Sequence, residues 1–244
     1  MNEAARRRFA ALANMASLAG PAEDPGDVAV MLERACMTAV DLLGATGAGI
    51  SLMADEGGHG LAAASDAFSR QLEELQFTLG EGPCIDAFTT GRPVLVPDLS
   101  DGHGRRWPMY VSAVRERGVR AIFAFPIQIG GSRLGVLDVF RDKPGSLTPE
   151  QLGQAVALTD VVLTMTLDGQ RRAPAGALPH GFDEAPGFHI EIAQAQGMIM
   201  IQLGVNITEA LVRLRAYAYA QGRPVSEVAR DVVARRLRFD DVDS

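Results

Sequence analysis

RAIFAFPIQIGGSRLGVLDVFRD, from Arg120 to Asp142, sets a Gly-Gly-Ser turn between two runs in which apolar residues alternate with other types. Period-two alternation puts successive side chains on opposite faces of a strand, and a glycine turn lets two such runs fold back on each other. The stretch therefore predicts an antiparallel hairpin in the middle of the chain. Upstream, DPGDVAVMLERACMTAVDLLG repeats apolar residues at helical spacing from Val28 to Leu43. GAGISLMA and HGLAAAS then read as two strands across the turn DEGG, followed by a helix over Asp66–Phe77. In GEGPCIDAFTTGRPVLVPDLS a short helix gives way to the strand PVLVPD after Gly91. Downstream of the hairpin, LTPEQLGQAVALTDVVLTMTL opens with Thr148 as N-cap, Pro149 at the first helical position and Gln151 completing a capping box. Helices wrapped around an antiparallel sheet make an α+β domain.

The chain has 244 residues, 47% of them hydrophobic and 22% charged, the make-up of a globular protein with a real core. Its apolar runs are too short and too interrupted to cross a bilayer. ARRRFAALANMASLAG near the start imitates an export signal, but Phe9, Leu12, Met15 and Ala19 fall at helical intervals, which predicts an amphipathic helix. Two cysteines, Cys36 and Cys84, form neither a disulfide framework nor a zinc-type pair, as expected for a reducing cytoplasm. The net charge of −7 argues against a surface that coats nucleic acid everywhere and leaves room for a local basic face.

DGQRRAPAGALPHGF, from Asp168 to Phe182, is rich in proline and glycine and lacks apolar periodicity, so it reads as a linker. The expected organisation is a first domain over 1–168 with the N-terminal helix, a linker over 169–182, and a small helical domain with an acidic tail over 183–244. Three helical patterns fill the last part. The first spans Gly187–Leu203 with Ile190, Ala193, Gly197 and Ile201 on one stripe. The second opens with the capping box NITE at Asn206 and stops at Gly222; the third runs from Pro224 to about Leu237. Between Ala185 and Phe239 there are seven arginines against four acidic residues, so this unit is basic within an acidic chain.

Enzymatic motifs are missing: the sequence contains no GxSxG, HExxH or P-loop, and its four histidines stand apart. Cys84 in GPCIDAF has no base beside it in sequence and reads as a buried structural thiol. Asp98, Asp101 and His103 imitate a metal site that a solvated loop explains. Neither a metal nor a cofactor is expected, and the chain is not expected to be an enzyme.

Residues 26 to 168, through GEGPCIDAFTTGRPVLVPDLS and FAFPIQIGGSRLGVLDVF, resemble a GAF domain, a sensor fold that binds small ligands between its sheet and covering loops. EIAQAQGMIMIQLGVNITEALVRLRAYAYAQGRPVSEVARDVVARRL is similar to the ANTAR domain, a three-helix RNA-binding antitermination module. Gln196 departs from it, standing where many relatives carry lysine or threonine. The resemblance implies a signal-responsive transcription antitermination regulator that binds stem-loop RNA as a homodimer. Gln194 and Gln196 are then candidates to read base edges, and Arg213, Arg215 and Tyr217, with tyrosines interleaved among arginines, to support unstacked bases. Arg230, Arg235 and Arg236 complete the expected RNA-binding set, although Arg235, Arg236 and Arg238 equally suit a helix C-terminus favoured by its dipole. Gly197 either lets helices pack tightly or lets RNA approach. The expected dimer surfaces are the apolar faces of the first helix and of the helix Thr148–Leu167. The alternative reading is a DNA-binding regulator that uses the third C-terminal helix.

Overall fold

The computed structural model describes residues 27–53, 59–102, 105–172 and 190–239, together with Ala13 and Leu18. Of the N-terminal helix only those two residues are described: both are helical, and Leu18 is buried in the core. His59 contributes backbone alone, and His103 and residues 173–189, which include most of the expected linker, lie outside the described residues.

The first domain runs α1 (Asp27–Leu43), β1 (Gly47–Met53), β2 (His59–Ala64), α2 (Ala67–Leu79), α3 (Pro83–Thr90), β3 (Val94–Val96), α4 (Pro108–Glu116), β4 (Ala121–Ile129), β5 (Ser132–Arg141) and α5 (Pro149–Arg172). The five strands form one sheet in the order β2-β1-β5-β4-β3, antiparallel throughout. The expected hairpin is β4–β5, with Ile129 opposite Ser132 across the two glycines. Pro126 sits in the part of β4 beyond the end of β3, which pairs only as far as Ala124. An edge position tolerates a residue with no N–H.

Alternation gives the sheet two different faces. Ile50, Phe123, Phe125, Leu137 and Val139 point to α1 and α5, where Leu32, Leu158 and Val162 cover them. Ile122, Ala124, Val136 and Phe140 point the other way, toward α2, α3 and α4. The expected capping box at α5 is formed, Thr148 N–H donating to Gln151 Oε1 at 3.0 Å and Gln151 N–H to Thr148 Oγ1 at 3.1 Å.

Three expectations change. The helix α4 lies where none was anticipated: Pro108 starts it, and Tyr110, Val111 and Val114 bury one side. The helix α5 continues to Arg172, past its expected end at Leu167 and into the expected linker. Gln170, Arg171 and Arg172 are good helix formers, Arg171 pairs with Asp168, and cations suit a helix C-terminus. Finally, Leu158 and Val162 of α5 are spent on the sheet, so the apolar face expected to meet a second copy is largely internal. What α1 and α5 leave outside is Val30, Met37 and Val156.

The C-terminal unit comprises α6 (Ile190–Leu203), α7 (Ile207–Ala220) and α8 (Val225–Val233) around Ile192, Ala195, Ile199, Leu214, Val228 and Val232. The buried stripe of α6 is therefore Ile192, Ala195, Gln196 and Ile199; Ala193 and Ile201 face solvent. This helix is apolar on both sides, so periodicity alone chose the wrong stripe. Asn206 caps α7 by accepting from Glu209 N–H at 2.9 Å, while the Glu209 side chain turns to Arg213 at 3.0 Å. The two domains touch: α2 packs against α7 and α8, and Phe77 of α2 is part of the C-terminal core.

Candidate functional site

Two places carry unusual chemistry: a buried acidic cluster behind the sheet and an arginine-bordered groove on the C-terminal unit. The cluster is assembled from both ends of the GEGPCIDAF stretch. Gly80 and Gly82 take positive φ (67° and 144°), reversing the chain between α2 and α3, conformations that favour glycine. At Gly82 there is no room either, because a Cβ would lie 2.3 Å from Gln76 Oε1. Gln76 uses that oxygen to accept from Cys84 N–H at 2.9 Å, which fixes the start of α3. Between the two glycines, Glu81 accepts from the N–H groups of Met109 and Tyr110 at 2.8 and 2.9 Å, capping α4 at its positive end. Asp86 of α3 accepts from Trp107 Nε1 at 3.1 Å and pairs with Arg106 at 2.6 Å. The motif thus ties α2, α3 and α4 into one cover over the sheet.

Under that cover the acidic groups meet. Glu73 of α2 and Asp138 of β5 are buried, and one carboxylate oxygen of each and Cys84 Sγ lie within 4.8 Å of one another. Gly49 on β1 makes the approach possible: a Cβ there would stand 2.7 Å from Glu73 Cγ. Ser51 Oγ donates to Glu73 Oε2 at 2.8 Å. Asp138 is bonded by Cys84, Glu73 and Gln76, whereas the Tyr110 hydroxyl is buried without a hydrogen-bond partner.

Buried carboxylates that lack compensation hold their protons. Burial, and then the charge of Asp138, push Glu73 well above the usual carboxylate range. Burial raises Asp138 to about 6. The Cys84 thiol is raised by burial and by the two acids, so it is protonated and a poor nucleophile as it stands. Cys84 is buried, as expected, and two acids from distant parts of the chain lie beside it. Asp138 left a trace in the sequence, as an acid between Val136 and Phe140 on an apolar strand face, and Glu73 and Gln76 left one on the buried side of α2. Asp98, by contrast, caps its own turn, accepting from Ser100 N–H and Oγ at 2.8 and 2.7 Å.

On the C-terminal unit, Gln194, Gly197, Met198, Ile201 and Gln202 of α6 and Val233, Arg235 and Arg238 at the end of α8 border an open groove of about 670 Å³. Gly197 meets no other atom within 4 Å of a modest side chain's first carbon, so it serves the groove and not helix packing. Ile201 is 77% exposed beside it. Arg235 turns the chain out of α8 with φ at 56° and is exposed.

The expected RNA-binding residues divide. Gln194 and Arg235 share the groove. Gln196 is buried, its amide 3.5 Å from the Ile207 carbonyl, and is a core residue out of reach of a base. Arg213 is exposed and paired with Glu209, Arg230 is exposed on α8, and Arg236 pairs with Asp231 at 2.7 Å. Tyr217 meets Phe239 in a tilted contact, ring centres 5.5 Å apart at 57°, so part of its ring is used internally. Arg215 lies across the Phe77 ring at 4.7 Å, and burial lowers its guanidinium to about 10. It belongs to the contact between domains.

The sequence pattern of the GAF domain matches residues 26–163, and that of the ANTAR domain matches residues 189–233. No relative among curated proteins matches the chain. Among solved structures, the fold is similar to the GAF domain of a Coxiella burnetii phosphoenolpyruvate-protein phosphotransferase, with TM-score 0.53 and 17% identity over 70% of this chain and 98% of that one. It is also similar to the corresponding Acinetobacter domain (0.51, 11%, covering 71% and 99%). A third similar structure is the free methionine-R-sulfoxide reductase of Neisseria meningitidis in complex with its substrate (0.50, 16%, covering 71% and 95%).

Proposed function

From a chain that belongs to the GAF domain family and carries an ANTAR domain behind it, we infer a transcription antitermination regulator that binds structured RNA in nascent transcripts. The first domain, over 1–168, senses a signal or serves as a platform for a homodimer, and the unit over 183–244 holds the RNA. The observation that carries the reading is the groove beside α6. It joins an amide, a glycine notch and an exposed apolar side chain to Arg235 and Arg238, a set able to meet phosphate and an unstacked base together. Among the described residues no single helix is long and apolar enough to cross a membrane, which agrees with work in the cytoplasm. Val30, Met37 and Val156 are the apolar residues that α1 and α5 offer to a second copy.

The test is binding of the full-length protein to a tandem stem-loop RNA and to duplex DNA of equal length across a salt series. RNA-selective binding supports the reading, and preference for the duplex supports a DNA-binding regulator. In the same assay Arg235→Ala is expected to cost roughly 1–3 kcal/mol if the arginine reads a base, or to flatten the salt dependence if it contacts phosphate. Gln196→Ala is expected to lower stability and leave the affinity of the folded protein unchanged. The reverse pattern would move the site from the groove to the α6–α7 interface.

A further inference from the structure

The acidic cluster behind the sheet is unexplained by RNA binding. We propose that Glu73, Cys84 and Asp138 bind a borderline-soft divalent cation of the zinc or ferrous class, and that this ion is what the sensor domain takes up. The inference deepens the sensor reading and rests on it for the use made of the ion.

Geometry comes first. Three donors from three separate elements, α2, α3 and β5, converge to within 4.8 Å of one another in full burial. A chance cluster of surface acids is solvated; this one is dry. Compensation comes second. Two buried carboxylates ordinarily keep a cation or several N–H donors beside them, because burying uncompensated charge is costly. Here the polar partners of the pair are Ser51, Gln76, the Cys84 thiol and each other, none of them a cation.

One further side chain points to a ligand independently of the acids. Tyr110 is 0% exposed, and its hydroxyl, close enough to feel Asp138, Glu73 and Cys84, has no hydrogen-bond partner. It is placed to complete the coordination, while Gln76 bonds to the Asp138 carboxylate.

The donor set chooses the ion. Magnesium and calcium take oxygen ligands, whereas a thiolate beside carboxylates suits zinc and ferrous iron. Binding displaces the protons of the Cys84 thiol and the carboxyl pair to solvent, so affinity rises with pH.

The experiment uses the reduced, chelator-treated full-length protein, with cobalt(II) as the probe and zinc as competitor, in the absence of RNA. One equivalent is expected to bind with a thiolate-to-cobalt charge-transfer absorption that zinc abolishes and magnesium does not. Cys84→Ser is expected to lose the band, and Cys36→Ser, altered in the core under α1, to keep it. Glu73→Gln and Asp138→Asn are each expected to weaken binding by at least about tenfold. X-ray absorption of the zinc-loaded wild type needs no variant: a shell with one sulfur supports the site, and a shell of oxygen and nitrogen alone overturns it. Absence of a band in the wild type, or its persistence in folded Cys84→Ser, also overturns it. Because no RNA is present, failure here is separate from failure of RNA binding.

Discussion

Asp138→Asn is expected to raise the stability of the metal-free protein at neutral pH by about 3 kcal/mol, and to remove the part of its pH dependence between pH 4 and 6 that Asp138 contributes. The folded-state value of about 6 stands roughly two units above the ordinary 3.8, and each unit corresponds to about 1.4 kcal/mol. A raised carboxylate favours the folded state at low pH. Below pH 4 the group is protonated in both states and costs nothing. Between pH 4 and 6 the unfolded chain gives up its proton while the folded chain keeps it, so stability falls, and above 6 the loss is complete. Glu73 is shifted in the same direction and adds a fall of its own above the ordinary glutamate range. Asparagine has the same shape, does not titrate, and offers an N–H to the Glu73 carboxylate. Urea denaturation at stepped pH checks this. A variant that is less stable than wild type at pH 7 with an unaltered slope would show that the bonds Asp138 receives from Cys84, Glu73 and Gln76 outweigh the cost of its burial. A side chain that costs its own protein stability is the kind retained for function.

The second large effect lies at the junction of the domains. Phe77→Ala is expected to destabilise the protein by about 3 kcal/mol or more, the usual cost of deleting a buried aromatic ring. Phe77 is 7% exposed, contributes to the C-terminal core from α2, and carries the Arg215 guanidinium on its face. Without the ring, Arg215 keeps its burial and loses the π-surface that offsets it. Unfolding is then expected to separate into two transitions, the C-terminal helices melting first. Calorimetry reads the separation, and a double-mutant cycle with Arg215→Ala reads the coupling, expected at about 1 kcal/mol. A single undivided transition with no coupling would mean that the domains meet without depending on each other.

Local chemistry was legible in the chain and convergence was not. The β4–β5 hairpin, the Thr148–Gln151 box and the Asn206 cap each sit within a few residues of sequence, and each formed. The helix α4 was missed because GRRWPMYVSAVRERG carries a short apolar stripe beside a glycine- and arginine-rich loop, and its cap, Glu81, comes from far upstream. The stripe of α6 was misjudged because a helix apolar on both sides gives no preferred direction. Arg215 reads as a surface cation on α7 until α2 is laid across it. The cluster of residues 73, 84 and 138 has members on three elements, so no spacing rule joins them; an acid on an inward strand position and polar residues on the buried side of α2 were the clues.

The helix α2 belongs to two interiors at once, since Leu72 lies under the sheet's cover and Phe77 lies among the C-terminal helices. Exchange of parts between related chains is therefore constrained in a way the linker hides. A crossover placed between residues 173 and 189 would pair a new helical unit with an old α2 and leave an unmatched seam. The heritable block is the C-terminal helices together with the outward face of Ala67–Leu79, and chimeras that respect it should fold where simple domain swaps do not.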